Sequence, residues 1–338
     1  MSDQIIEVSG RYIIRPTEET DFDDVLRLYQ AWDIRIDGLS LTDAVDLRQE
    51  WDAPHFELSK SARVAHDMTG RLIGYCQVGH EQEKPVRSGV YVSLDADNPD
   101  EELGLRLFEW GVQELHRVLP LVPDHAKVTI TTDADTRDQF SMDLIEKAGF
   151  QASGQVWQKM LIEMDAQPEP VYLDPAVTFI TADQFNDDRA IYEAHQDAFR
   201  DHRNFIARDR DEGFKRWSYW LKGDERVYDP SLWLIALIDG EIAGVALCDR
   251  YHSSYPDEGY ISVLGVRREY RGRGIAKSLL NRAFRQFWER GTKKACLFVD
   301  GSSITGADKL YRSVGMHVSK GYATYEKVLR DGEELSVQ

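Results

Sequence analysis

The sequence predicts an α+β protein built from two tandem copies of one domain. Three observations point there. Short β-branched, aromatic-rich runs of strand length alternate with stretches of helical period along the whole chain. Landmarks recur at a nearly constant offset of about 166–170 residues: Ile14 with Ile180, the Gly70/Gly74 hairpin with Gly240/Gly244, and Gly149-Phe150 with Gly315-Met316. Between the copies lies D-A-Q-P-E-P-V-Y-L-D-P-A (165–176), with three prolines and few packing residues, which reads as a linker. The expected division is therefore 1–165, a linker at 166–176, and 177–334.

The first copy opens, over 11–29, with a short strand, a Thr/Asp-rich cap and a helix. A mostly polar helical region fills about 30–60. Strands at 62–66 and 72–79 flank Met68-Thr69-Gly70-Arg71, a hairpin turn. Another strand covers 88–94. After D-A-D-N-P-D-E-E-L-G comes a helix from about 101 to 118, with Leu103, Leu107, Trp110, Leu115 and Val118 inward. A strand at 128–132, a helix ending in L-I-E-K-A-G-F and a strand at 157–164 close this half.

The second copy repeats the plan. A strand at 177–180 precedes a helix at 187–200 and an aromatic-rich stretch at 205–220. Strands at 232–238 and 242–249 turn about Asp239-Gly240. The centre of the copy is E-G-Y-I-S-V-L-G-V, R-R-E-Y-R-G-R-G and I-A-K-S-L-L-N-R-A-F-R-Q-F-W-E-R, residues 258–290. Tyr260 to Val266 form a strand. In the helix, Ile275, Ala276, Leu279, Leu280, Ala283, Phe284, Phe287 and Trp288 make one unbroken apolar stripe. A strand at 295–299, a helix ending in L-Y-R-S-V-G-M and a strand at 322–329 complete the copy.

A strand feeding a Gly-rich turn and then a helix N-terminus is built to hold an anion. The first N–H groups of the helix lack intrahelical partners, and the helix dipole places positive charge there. Gly272 and Gly274 let a ligand approach the backbone, and Arg267, Arg268, Arg271 and Arg273 supply charge. A pyrophosphate is the natural guest. The dinucleotide pattern G-x-G-x-x-G fails, because Lys277 stands at its third glycine. The P-loop pattern fails, because Arg271 and Ala276 occupy its glycine positions. What remains is R-x-x-G-x-A, from Arg271 through Gly274 to Ala276.

This motif, with the strand before it and the amphipathic helix after it, resembles the acetyl-CoA signature of the GNAT superfamily of N-acetyltransferases. The doubled chain is similar to tandem GNAT proteins such as mycothiol synthase. The resemblance implies two tandem GNAT-like domains, each a mixed, mostly antiparallel sheet flanked by helices. It implies acetyl-CoA as co-substrate, held by Leu264, Val266, Arg271, Gly272, Arg273, Gly274, Ile275 and Ala276. Family members often carry Asn in the loop after the next strand. Here Ser303 stands near that place, and its hydroxyl can still bond a pantetheine amide. In the same family, a Tyr in Leu-Tyr-x-x-x-Gly-Phe/Met serves as general acid, which on this sequence is Tyr311.

The two copies differ where chemistry would occur. The first copy's turn, 95–104, has four acidic residues before Glu102 and no arginine, and Ile145 replaces the tyrosine. The C-terminal copy is therefore expected to be catalytic and the N-terminal copy degenerate. An alkyl ammonium of pKa ~10.4 leaves only about 0.1% free amine at pH 7, so a base is needed. Period-2 alternation puts Glu258, Tyr260, Ser262, Leu264 and Val266 on one strand face, with Glu258 its one carboxylate. Glu258 is thus the expected base, acting through water. The oxyanion would be met by a backbone N–H near 264–266, as in the family. The acceptor is expected between the copies, near the helix at 187–200, with His195, His202, Phe205, Trp217, Tyr219 and Trp220 as lining.

Net charge is −18, which speaks against nucleic acid as a partner. No run of eighteen apolar residues predicts a membrane span, and the first ten residues lack the pattern of a signal peptide. Cys76, Cys248 and Cys296 lie singly in apolar runs and read as reduced cytoplasmic core residues, so no metal is expected. The expectation is an N-acetyltransferase, monomer or homodimer, acting on the primary amine of a small molecule or peptide. The alternatives are a non-catalytic acyl-CoA-binding sensor and a nucleotide-phosphate-binding protein.

Overall fold

The computed structural model describes residues 6–8, 10–53, 56–80, 85–171, 175–202, 205–206, 209–301 and 307–336. The chain divides into two compact units. One holds Met1–Val156 with Tyr322–Leu335, and the other holds Trp157–Gly321 with Ser336–Gln338.

The first unit contains β1 (Ile6–Val8), β2 (Tyr12–Pro16), α1 (Phe22–Asp37), α2 (Ala44–Trp51), α3 (Leu58–Ser61), β3 (Ala62–Asp67), β4 (Leu72–His80), β5 (Arg87–Leu94), α4 (Glu101–Leu115), β6 (Val128–Asp135), α5 (Gln139–Lys147) and the start of β7 (Gln151–Glu163). Its sheet runs β1-β2-β3-β4-β5-β6, then residues 322–330. Every pair is antiparallel except β5 with β6, which are parallel over Arg87–Thr129 to Gly89–Thr131. Val25, Leu28, Leu47 and Trp51 of α1 and α2 pack on Val64, Leu72 and Tyr75.

The second unit takes the rest of β7, then β8 (Val177–Thr181), α6 (Ala182–Phe185), α7 (Asp188–Phe199), α8 (Arg210–Lys222), β9 (Leu234–Ile238), β10 (Glu241–Asp249), β11 (Glu258–Val266), α9 (Ile275–Glu289), β12 (Lys294–Asp300), α10 (Ala307–Ser313) and the start of β13 (His317–Arg330). Its sheet runs β7-β12-β11-β10-β9-β8, again antiparallel except for one parallel pair, β11 with β12. The duplication is therefore present in the strand order itself. Ile275, Leu279, Leu280, Phe284 and Phe287 of α9 pack on one face, with Tyr311 and Met316. Ile191, Tyr192, Ala194 and Trp217 of α7 and α8 pack on the other, around the fully buried Trp233.

Two expectations are corrected. The sequence reading gave 157–164 to the first copy and 322–329 to the second. In the structure, 157–163 pair with β12 in the second unit, and 322–330 pair with β6 in the first. Each closing strand is long, 13 and 14 residues, and is divided near its middle. Period-2 patterning identifies a strand but not its partner, so the exchange is invisible to it. Residues 165–171 form no helix or strand, but they lie against α9: Arg285 donates to the Pro168 carbonyl at 2.6 Å and Gln167 to Glu289 at 2.8 Å.

The second correction concerns β11. Leu247 of β10 faces Val263, but Cys248 faces Ile261, so Ser262 is the extra residue of a β-bulge. The bulge interrupts the alternation. Below it, Gly259 abuts the Phe287 ring of α9, where a Cβ would come within 2.5 Å. Above it, Leu264 and Val266 join the α9 cluster, whereas Val263 joins the α7/α8 cluster. Glu258 and Tyr260 therefore point to the face opposite Leu264 and Val266.

Candidate active site

α9 is reached through a turn whose exposed residues 271–274 include two left-handed glycines, Gly272 (φ 76°) and Gly274 (φ 78°). Gly274 is the N-cap. Among the described residues no side chain caps the helix, and no acid stands in its first turn. Its orphan N–H groups thus face the open turn. A Cβ on Gly272 would meet nothing within 4 Å, so the backbone there is open to a ligand. These features suit an anionic group such as a pyrophosphate.

Three of the turn's arginines are engaged within the protein. Arg271 turns back toward α7. It donates to the Val266 carbonyl at 3.1 Å, to the Ala198 carbonyl at 2.8 Å and to Asp201 at 3.1 Å. Arg267 is held by Asp197 at 2.8 Å and by Glu269 at 3.1 Å. Arg268 lies 3.7 Å from Asp201. These three guanidinium groups brace the turn against the C-terminal end of α7, while Arg273 is exposed.

The first unit's equivalent turn is occupied by its own carboxylate. Asp100 is the N-cap of α4 and accepts from the Leu103 N–H at 3.1 Å. Glu101 and Glu102 follow in the first turn. Asp95 is paired with Arg71 at 2.8 Å, and Arg11 contacts Asp100 and Glu102. An anion arriving here would displace a cap and meet three carboxylates.

Beside the α9 turn the sheet opens into a fork. β11 and β12 pair only from Glu258–Lys294 to Tyr260–Cys296. Beyond that point, 261–266 have no partner in β12 among the described residues, and Ser262 marks the bulge. Tyr311 of α10 is buried within the α9 cluster, and burial pushes its phenol up to about 12. Ser303 lies outside the described residues.

Below the fork, the face opposite α9 carries a buried polar group. Glu258 and Lys159 are both nearly inaccessible, with Nζ 2.7 Å from Oε2. The approach lies off the hydrogen-bonding direction, so the contact is an ion pair rather than an aligned hydrogen bond. The Lys159 ammonium also sits 3.0 Å above the Tyr255 ring. The Cys296 thiol bonds Glu258, and burial raises its pKa strongly. His252 packs on Tyr260 with ring centroids 4.7 Å apart. Its Nδ1 accepts from the Ser254 N–H at 3.1 Å, and burial, with help from Lys159 and Lys320, pushes the imidazole down to about 4. Asp249, at the end of β10, stands opposite Tyr260 in register and is 8% exposed. Burial pushes its carboxyl up to about 8, against a hydrogen bond from Ser262 that lowers it.

Sequence reasoning missed Lys159 and Asp249. Lys159 belongs to a strand that was given to the other copy. Asp249 is the first acid after an apolar run of seven residues, 242–248, and that abrupt end was the available signal. Of the expected acceptor lining, Trp217 is core: its indole donates to His195 Nδ1 at 2.9 Å, and burial takes His195 down to about 4. Trp220 remains exposed and packs edge-on to Tyr219.

The acetyltransferase (GNAT) family matches residues 189–316, which span α7 through α10. An N-alpha-acetyltransferase MAK3 of Arabidopsis thaliana is 35% identical over 86 residues, 25% of this chain and 45% of the plant protein's length. Acetyltransferase SG1711 of Sodalis glossinidius is 37% identical over 108 residues, 32% of this chain and 68% of the bacterial protein. Among solved structures, a GCN5-related N-acetyltransferase from Sphaerobacter thermophilus superposes with a TM-score of 0.80 at 28% identity, over 98% of this chain and 100% of that one. A tandem GNAT protein from the clavulanic acid biosynthesis pathway shares the fold, with a TM-score of 0.67 at 12% identity, over 98% of this chain and 99% of that one. This chain, with an open helix terminus beside a forked parallel pair, belongs to the acetyltransferase (GNAT) family.

Proposed function

We propose that the protein transfers acetyl from acetyl-CoA to the primary amine of a small molecule or peptide, with one active site, in the second unit. The observation that carries this reading is the contrast between the two helix termini. α9 presents uncapped N–H groups behind glycines, whereas α4 is capped by Asp100. The first unit then serves as a degenerate copy.

In this reading the N–H groups at the start of α9 hold the pyrophosphate, and Arg271 keeps their turn in shape from behind. Acetyl-CoA supplies an activated thioester when bound. Backbone groups of 264–266, left without a β12 partner, bind along the fork and meet the oxyanion. Tyr311 donates a hydrogen bond to the departing sulfur. Complete transfer from a phenol near 12 to a thiolate whose thiol pKa is ~8.5 is uphill by about 5 kcal/mol, so the hydrogen bond is its main contribution. Two carboxyls stand at the base of the fork, Glu258 and Asp249, and one of them takes the amine's proton.

Calorimetric titration with acetyl-CoA, followed by thiol release with a panel of amines, tests this. The expected result is one site per chain, lost in Gly274→Asp, which sets a carboxylate at the N-terminus of α9. Two sites per chain would refute the reading of the first unit, and no binding would refute the reading as a whole.

A further inference from the structure

Of the two carboxyls at the fork, the geometry points to Asp249 as the base that deprotonates the acceptor amine, with Glu258 as a structural partner of Lys159. This rests on the transfer reading above. Glu258 is engaged on several sides: its oxygen is 2.7 Å from a buried ammonium, and the Cys296 thiol bonds it. A carboxylate held in that way is committed to compensating the buried Lys159 ammonium.

Among the described residues, Asp249 has no cation of this kind on it. It stands across from Tyr260, the last residue of the parallel pair, and so at the point where β11 and β12 separate. The bulge residue Ser262 carries one hydroxyl hydrogen, which goes to the Asp249 carboxylate when that group is ionised and to the Leu247 carbonyl, 2.9 Å away, when it is protonated. The bulge thus ties the fork to the Asp249 carboxyl. Among the described residues, the groups near Asp249 are few. From β11 come Tyr260 and Ser262, and from its own strand the Cys248 thiol. From the segment after α8 comes Asp224, which raises the Asp249 pKa and is itself paired with Arg226 at 2.8 Å. Arg250 turns away, to the Glu225 and Arg226 carbonyls at 3.1 Å each and to Asp229 at 3.4 Å. The result is a carboxyl that titrates near 8, where a base can both take and release a proton at neutral pH.

The step balances. The ionised Asp249 carboxylate takes one proton from the alkyl ammonium, leaving a neutral amine. The nitrogen lone pair forms the bond to the thioester carbon, and the carbon–sulfur bond breaks with its electron pair going to sulfur. Of the three ammonium protons, one stays on the amide nitrogen, one ends on sulfur and one passes from Asp249 to water.

The test is the pH dependence of kcat/KM for wild type, Asp249→Asn, Glu258→Gln and Ser262→Ala, with acetyl-CoA affinity measured alongside. Wild type should lose activity as pH falls through about 8, apart from the amine's own ionisation near ~10.4. Asp249→Asn should bind acetyl-CoA normally, lose kcat by ~10²-fold or more, and lose that inflection. Ser262→Ala removes a hydrogen bond that lowers the Asp249 pKa, so its inflection should move upward. An inflection retained in Asp249→Asn, or lost in Glu258→Gln instead, overturns the assignment. If wild type binds acetyl-CoA but transfers to no amine, the transfer reading fails. The carboxyl C=O infrared band of wild type minus Asp249→Asn then judges Asp249 alone: a midpoint near 8 supports it and one below about 6 overturns it.

Discussion

The Lys159 ammonium lies 2.7 Å from a Glu258 carboxylate oxygen, with side chains only 3% and 8% exposed. Removing either partner strands a buried charge, which costs about 3–5 kcal/mol, whereas apolar replacement of both can be neutral or better. Lys159→Met alone should therefore lower the urea midpoint clearly. Lys159→Met with Glu258→Leu should recover most of the loss. Equal midpoints for wild type and Lys159→Met would show that the pair is idle.

Arg271 is predicted to act through shape. It makes three separate contacts, to Val266, Ala198 and Asp201, that no lysine can reproduce from one ammonium. Arg271→Ala should weaken acetyl-CoA binding ~10-fold, about 1.4 kcal/mol, with kcat at saturation little changed. Arg271→Lys should not rescue it. Full rescue by lysine would mean that charge alone matters at this position.

Tyr311→Phe removes one hydroxyl from an apolar cluster, so stability should change by no more than about 1 kcal/mol. Acetyl-CoA affinity should hold while kcat falls by roughly 10²-fold. With the phenol near 12, the pH profile below 10 should keep its shape. An unchanged kcat would reduce Tyr311 to a packing residue.

Asp249 also predicts a pH dependence of stability. Its folded pKa, about 8, lies above the unfolded value of 3.8. Between these values the unfolded chain has lost the proton and the folded chain keeps it. The folded state is therefore favoured at low pH, and this contribution is lost as pH rises from about 4 to about 8. Asp249→Asn cannot ionise, so its melting temperature relative to wild type should be higher at pH 8 than at pH 5. The opposite trend, or none, would mean that the carboxyl is solvated.

Local features were the legible ones. The α9 stripe, the glycines at 272 and 274 and the acidic turn before α4 each follow from spacing within one turn or one helix. The duplication was legible because its landmarks are glycines and hydrophobic residues at fixed offsets. What escaped is set by distant partners. The Ser262 bulge depends on how β10 pairs with β11, and it reversed the face assigned to Leu264 and Val266. Lys159 and Glu258 are 99 residues apart in sequence and meet because β7 lies beside β12 and β12 beside β11. The contacts of Arg271 escaped because nothing in its neighbourhood announces Ala198 and Asp201.

The exchange of closing strands bears on how the protein can be taken apart. Cutting the chain in the proline-rich segment at 165–176 yields no two intact halves. The N-terminal fragment would lack residues 322–330, the antiparallel neighbour of β6, and would leave that edge of its sheet unpaired. The C-terminal fragment would lack 157–163, the neighbour of β12. Each fragment would then present an open edge that matches the strand held by the other, so the two would be expected to be soluble together and prone to aggregate apart.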